Sequence, residues 1–186
     1  MQRKAKWTLT LLLVVCTMPI VGSYALYFFW QPSATSNYGE LLSPEELPDV
    51  TTENMDGEPV DRETFERKWT MFYPSSGECG EHCQHALYAM NQSELAQGRD
   101  MSRVARAWLV TDGVTPDSSV TEELRPFEIV HAPQEWLELL PGWESGEHIY
   151  LVDPIGNVMM RFPPEPDIEK VIYDIEHLLK YSGLGR

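Results

Sequence analysis

Cysteine is scarce in this chain of 186 residues: there are three. One, Cys16, lies in an apolar N-terminal run, so the rest of the chain holds the single pair Cys79 and Cys83. One pair in a domain of ordinary size excludes a disulfide scaffold and reads instead as a site. Positive charge is scarce as well. All 29 acidic residues lie at or beyond Glu40, with only 11 of the 14 basic ones, so that part carries a net charge of −18. Phosphate backbones are gripped by clustered Lys and Arg, so nucleic acid is not expected as a partner. An acidic surface of this kind attracts a basic protein or simply keeps the domain soluble. Internal repeats and low-complexity tracts are missing too, which excludes a repeat architecture.

Charge of either sign is absent from Trp7 to Trp30, a run of 24 residues. About 20 apolar residues span a bilayer. Arg3, Lys4 and Lys6 precede the run, and polar or acidic residues follow it. The positive-inside rule then puts the N-terminus in the cytoplasm and everything after Gln31 across the membrane. Trp7, Tyr27, Phe28, Phe29 and Trp30 stand where interfacial aromatic belts stand, and Pro19 is tolerable in a membrane helix. A cleaved signal peptide would have a shorter apolar core ending in small residues. Here the run continues through Leu26-Tyr27-Phe28-Phe29-Trp30, which favours an uncleaved anchor. Either way the domain is exported, and its thiols meet an oxidising compartment.

The expected organisation is a cytoplasmic tip and anchor over 1–30, a linker rich in Pro, Ser, Glu and Thr over 31–57, and one domain over 58–186. Within it, apolar runs predict strands over 68–73, 104–111, 127–131, 148–152 and 158–162. Helices are predicted from Cys79 to about Gln97, over 133–140, and after Asp167. That last helix carries one apolar stripe through Ile168, Val171, Ile172, Ile175, Leu178 and Leu179. Strand, helix, strand, then a late hairpin and a final helix is the order of an α/β sandwich.

The chemistry concentrates in Cys79-Gly-Glu-His-Cys83, at the mouth of the first strand-to-helix turn. Helical spacing of i, i+3 and i+4 places Cys79, His82 and Cys83 on one solvent-facing side. A helix N-terminus favours anions, so a thiol there has a lowered pKa. Two such thiols can close a disulfide or grip one soft ion. A Cys pair at this turn makes the sandwich thioredoxin-like, with C-x3-C in place of the C-x-x-C of the general redox motif.

These residues resemble the Sco/SenC proteins, membrane-anchored thioredoxin-fold factors that help load copper into cytochrome c oxidase. The resemblance runs from about Gly57 to Leu179. It is carried by the apolar strand before Cys79, by the C-x3-C, and by Tyr150-Leu-Val-Asp-Pro-Ile-Gly156 with the amphipathic helix behind it. It implies copper held by Cys79, Cys83 and a distant His, or thiol–disulfide exchange by the same two Cys. It also implies a bacterial inner-membrane anchor with a periplasmic domain, and as partner a copper-containing oxidase subunit or another copper chaperone. Where the family has its distant His this chain has Ser145, and His148 is the nearest imidazole.

Thiolates and imidazole suit Cu(I). His148 is the first expectation for a third ligand, since it opens the strand beside the Cys turn. His82 is the alternative and His85 a weaker one. His131 and His177 read as structural or exposed. Met159-Met160 reads as packing, and Trp108, Trp136 and Trp143 as core or rim. Three functions stay open: a copper metallochaperone, an oxidoreductase in which Cys79 attacks and Cys83 resolves, and a tethered scaffold whose disulfide is only structural.

Overall fold

The computed structural model describes residues 2–29, 37–120, 122, 124 and 126–183. It divides into two units, Met1–Ser36 and Asn37–Arg186. The first is a single helix, α1 (Gln2–Phe29), which continues through Pro19. Its stretch Lys6–Ala25 is long and apolar enough to cross a membrane. Trp30 and the side chains of Phe28 and Phe29 lie outside the described residues, as does the segment 31–36.

The second unit runs β1 (Glu40–Glu46), β2 (Thr52–Glu53), β3 (Pro59–Val60), β4 (Trp69–Ser75), α2 (Glu81–Ala96), β5 (Val104–Val110), β6 (Glu128–His131), α3 (Gln134–Leu137), β7 (Tyr150–Val152), β8 (Asn157–Arg161) and α4 (Ile168–Tyr181). Six of the strands form one sheet in the order β1-β8-β7-β4-β5-β6. β4, β5 and β6 run parallel, while β7, β8 and β1 add antiparallel neighbours. β4 is the centre, and all seven of its residues are buried. A strand covered on both faces reads as an unbroken apolar run, as Trp69-Thr-Met-Phe-Tyr73 does.

Alternation along β4 separates two cores. Trp69, Met71 and Tyr73 face one side, where α2 and α4 pack through Leu87, Met90, Val171 and Ile175. Phe72 faces the other, against Phe65, Trp136 and Tyr150. There the Phe72 ring stacks on Trp136 with centroids 5.7 Å apart, and Phe65 meets both edge-on. Each such pair contributes roughly 0.5–1.5 kcal/mol beyond its buried area.

The folded unit begins well before residue 58. β1 pairs with β8, Glu40 opposite Arg161 and Leu41 opposite Met160, with a register shift before Glu45. Asp174, buried on α4, accepts hydrogen bonds from the backbone N–H groups of Gly39 (2.8 Å) and Tyr38 (3.2 Å). The expected linker is therefore structured from residue 37 onward. An edge strand tolerates charge and Pro44, because half of its backbone groups have no strand to pair with. That tolerance made it look like linker. Two boundaries also differ. α2 starts at Glu81 rather than Cys79, and α3 is a single turn, stopped before Pro141-Gly142. α4 begins at Ile168 and is capped, as expected, by Asp167, whose carboxylate accepts from the Glu169 N–H at 3.1 Å.

Candidate functional site

β4 ends in Pro74-Ser75, and the chain turns through Ser76, Gly77 and Glu78 before α2. Asp112, just beyond β5, fixes this turn. Its carboxylate accepts from the Gly77 N–H at 3.1 Å and from the Val114 N–H at 3.1 Å. A hydrogen bond from the Ser76 hydroxyl, and then the Gly77 N–H, hold its pKa below the ordinary carboxylate value. Gly77 has no room for a side chain: a Cβ there would stand 2.1 Å from the Val114 carbonyl oxygen.

Cys79 and Cys83 are joined by a disulfide, with their Cα atoms 5.0 Å apart. The bridge is not made on one helix face. Gly80 is the N-cap of α2, so Cys79 precedes the helix, and its φ is +38°. A left-handed turn, not helical periodicity, brings the sulfurs together. That conformation costs a non-glycine residue about 1–2 kcal/mol. Its backbone is tied on both sides: the Cys79 N–H reaches the Ser76 carbonyl at 3.4 Å, and the Gln84 side-chain amide donates to the Cys79 carbonyl at 3.3 Å. Cys83 sits in the first turn of α2, among N–H groups with no helical acceptor, where negative charge is favoured.

The expectation of solvent-facing sulfurs is not met. Cys79 is 5% exposed and Cys83 6%, and both join the core cluster of Tyr73, Leu87 and Trp108. Their flanking residues Glu78, Gly80, Glu81 and His82 are exposed, so the bridge lies just beneath the surface. Below it, the Tyr73 hydroxyl donates to the Gly146 carbonyl at 2.6 Å, and burial pushes its pKa up to about 12. Ser75 Oγ lies 3.7 Å from Cys83 Sγ and accepts from Trp108 Nε1 at 2.8 Å.

The candidate imidazoles do not converge on the sulfurs. His148 Nδ1 lies 2.9 Å from the Phe162 carbonyl oxygen, and its ring meets the Tyr150 ring edge-on. Tyr150 belongs to the core on the far face of the sheet, while its neighbours Ile149 and Leu151 belong to the cysteine side. The two-residue period of an extended chain thus carries His148 to the wrong face. His82 Nδ1 is 2.9 Å from Glu165 Oε1. His82 and His85 line an open groove with Glu165 and Glu169, and neither cysteine lines it. Among the described residues no group of three or more His, Cys, Asp or Glu is placed to hold a metal. For copper this leaves two sulfur donors, once reduced, and no imidazole beside them. His177 lies between the rings of Tyr173 and Tyr181, Met160 is buried, and Trp108 and Trp136 are core.

A family model described as the transmembrane-like, thioredoxin-like C-terminal domain matches residues 69–182, more than half of the chain. The chain belongs to this family. No curated protein matches it in sequence. Among solved structures it is similar to copper-bound ScoI of Bradyrhizobium japonicum, at 17% identity and TM-score 0.56, covering 72% of this chain and 99% of that one. Copper-bound yeast Sco1 aligns at 13% identity and TM-score 0.63, covering 76% and 96%. The thioredoxin domain of a thiol-disulfide oxidoreductase from Bacteroides vulgatus aligns at 17% identity and TM-score 0.55, covering 75% and 99%. At these identities the likeness is one of fold. The fold class, an α/β thioredoxin-like sandwich, is thus the one expected from the sequence, and the Sco resemblance holds at that level.

Ser75 and Asp112 were not singled out by sequence reasoning. For Ser75 the signal was present: a polar residue closing an otherwise apolar central strand, four positions before Cys79.

Proposed function

We propose that this protein is a membrane-anchored, Sco-like factor in the assembly of a copper oxidase, and that it works by thiol–disulfide exchange through Cys79 and Cys83. In this reading it keeps the copper-ligand cysteines of an oxidase subunit in the dithiol state. The observation that carries it is the Cys79–Cys83 bridge at the head of α2, with no further His, Cys, Asp or Glu among the described residues placed to complete a metal site with the two sulfurs. A thiol–disulfide pair needs only two sulfurs; a Cys2His copper site needs a third donor. Arg3, Lys4 and Lys6 at the N-terminal end of α1, ahead of its uncharged run, support an inner-membrane anchor with the N-terminus in the cytoplasm and the domain in the periplasm.

Burial constrains the mechanism. Cys79 precedes α2 on the turn between exposed Glu78 and Gly80, while Cys83 lies in the first turn of α2 with its sulfur 3.7 Å from the buried Ser75 Oγ. Cys79 is therefore the sulfur that forms the mixed disulfide, and Cys83 closes the bond that releases the partner.

A second reading, delivery of copper as cargo on the reduced sulfurs, is favoured by the copper-bound state of the ScoI and Sco1 relatives. One experiment separates the two. The full chain in detergent is reduced, then offered either an oxidised peptide carrying two cysteines or Cu(I) against a competing chelator, with Cys79→Ser and Cys83→Ser alongside. Exchange with the peptide, trapped as a mixed disulfide in Cys83→Ser and abolished in Cys79→Ser, supports the exchange reading. Tight one-to-one Cu(I) binding without peptide exchange supports delivery and overturns it. Neither activity leaves a tethered domain with a structural disulfide.

A further inference from the structure

Of the large apolar side chains that the second unit exposes among the described residues, the two most exposed are Tyr181, at 68%, and Tyr173, at 59%. Both stand on α4, on the face turned away from Val171, Ile175 and Leu179, which pack into the core. His177 lies between them, its ring centroid 6.2 Å from that of Tyr173 and 4.6 Å from that of Tyr181, so the three rings form one ladder along the helix. Lys170 and Lys180 bracket the ladder, with their ammonium groups 5.2 Å from the Tyr38 and Tyr181 ring centroids. By helical spacing Glu169 and Glu176 stand on one flank of this face, and Asp167 pairs with Lys170 at 3.3 Å. Side chains with an apolar body and a polar tip, Tyr and Lys among them, are those that settle where a membrane meets water.

The place where the chain enters the unit says what this face meets. Tyr38 and Gly39 are fixed to α4 by their N–H bonds to the Asp174 carboxylate, at 3.2 and 2.8 Å, and the Asp167 N–H donates to the Tyr38 hydroxyl oxygen at 3.0 Å. Six residues, 31–36, separate Trp30, where the uncharged run ends, from Asn37, where the unit begins. At most ~3.6 Å per residue, that is about 25 Å of chain between the bilayer and the edge of α4. We propose that the outward face of α4, with Tyr173, His177, Tyr181 and the two lysines, lies on the headgroup layer of the membrane that anchors the chain. This rests on the anchor reading above, not on the exchange chemistry, and adds a surface contact to the tether. Anionic headgroups oppose the domain's net charge, so the contact is aromatic first, with the lysines set beside phosphates. α2 and α4 begin at the same end of the sheet, where His82 meets Glu165 just ahead of α4. Lying on this face, the domain presents the Cys79–Cys83 end of α2 beside the membrane surface, where a membrane-bound partner is met.

The test uses the full chain with Ile155→Tyr in vesicles of phosphatidylethanolamine and phosphatidylglycerol, footprinted with hydroxyl radicals and read by peptide mass. Ile155 is 55% exposed on the turn between β7 and β8, where the next residue, Gly156, accepts from the N–H of Leu47 in the far core, so a tyrosine there is the reference. On exposure alone Tyr173 and Tyr181 react at least as fast as the reference. The proposal expects both to react several-fold more slowly. Tyr173→Glu with Lys170→Glu should return Tyr181 to the reference rate. Reaction of Tyr173 and Tyr181 at the reference rate, in a chain that stays in the vesicles through an alkaline carbonate wash, overturns the proposal and leaves the anchor standing. A chain that the wash removes overturns the anchor reading and the proposal with it. Protection that fades as the chain is diluted with lipid places a second copy on this face and overturns the proposal as well. So does protection of Tyr181 that survives both glutamate substitutions in the folded chain.

Discussion

Reducing the Cys79–Cys83 bridge should leave the domain folded. The bond joins residues four apart in sequence, so it closes a loop of only five. Loop-closure entropy for so short a ring gives a stabilisation of about 2 kcal/mol. Part of that is offset in the folded state, where Cys79 is held at φ +38° at a cost of about 1–2 kcal/mol that an open chain is free to shed. The net penalty of reduction is therefore about 0–2 kcal/mol, against the 5–15 kcal/mol that ordinarily holds a domain folded. For a unit of this size 2 kcal/mol lowers Tm by about 4–8 °C. The assay is thermal unfolding of the full chain in detergent, followed by near-ultraviolet circular dichroism with and without a reductant. A fall in Tm of more than about 15 °C, or loss of the aromatic signal at 25 °C, would refute the reasoning and make the bridge a structural staple.

Asp174→Ala removes the acceptor of the Gly39 and Tyr38 N–H groups, two charge-assisted bonds at a buried carboxylate. It should cost about 2–4 kcal/mol and speed hydrogen exchange in β1 while α2 stays protected. Alkaline stability should track Tyr73. Its folded pKa of about 12 lies above the unfolded value of 10.0, so the unfolded chain releases that proton first. Stability is then fully present below pH 10 and falls as pH rises from 10 toward 12, which denaturant titrations at those pH values will read; Tyr73→Phe should flatten the fall. His148→Ala should leave both peptide exchange and any Cu(I) affinity of the reduced pair within about twofold, because its ring lies across the sheet from the sulfurs. A loss of tenfold or more in a folded variant would contradict that placement.

The sequence carried much of the fold and less of the site. Strands covered on both faces, such as Trp69–Ser75 and Val104–Val110, declare themselves as unbroken apolar runs, and the stripe after Asp167 repeats at helical spacing. β1 was illegible because an edge strand needs neither pattern; its place is fixed by Arg161 and Asp174, more than a hundred residues away. The spacing of Cys79 and Cys83 revealed the pair but misled on its geometry. A helix starting at Cys79 would have aligned His82 with both sulfurs, whereas Gly80 as N-cap moves Cys79 off the helix, and Glu165 holds His82 apart. His148 turned on parity alone: one residue decides which face an extended chain presents. Ser75 and Asp112 act through contacts with Trp108 and Gly77 that only the tertiary structure brings together.

The central claim is that the Cys79–Cys83 bond opens and closes in the folded protein. Native full chain equilibrated in glutathione buffers of graded potential, then quenched with acid and mass-mapped, tests it directly. The account predicts a reversible two-electron transition of the Cys79–Cys83 pair while the circular dichroism stays native. A bond that stays closed across the whole range, and opens only once the domain is unfolded, would contradict it.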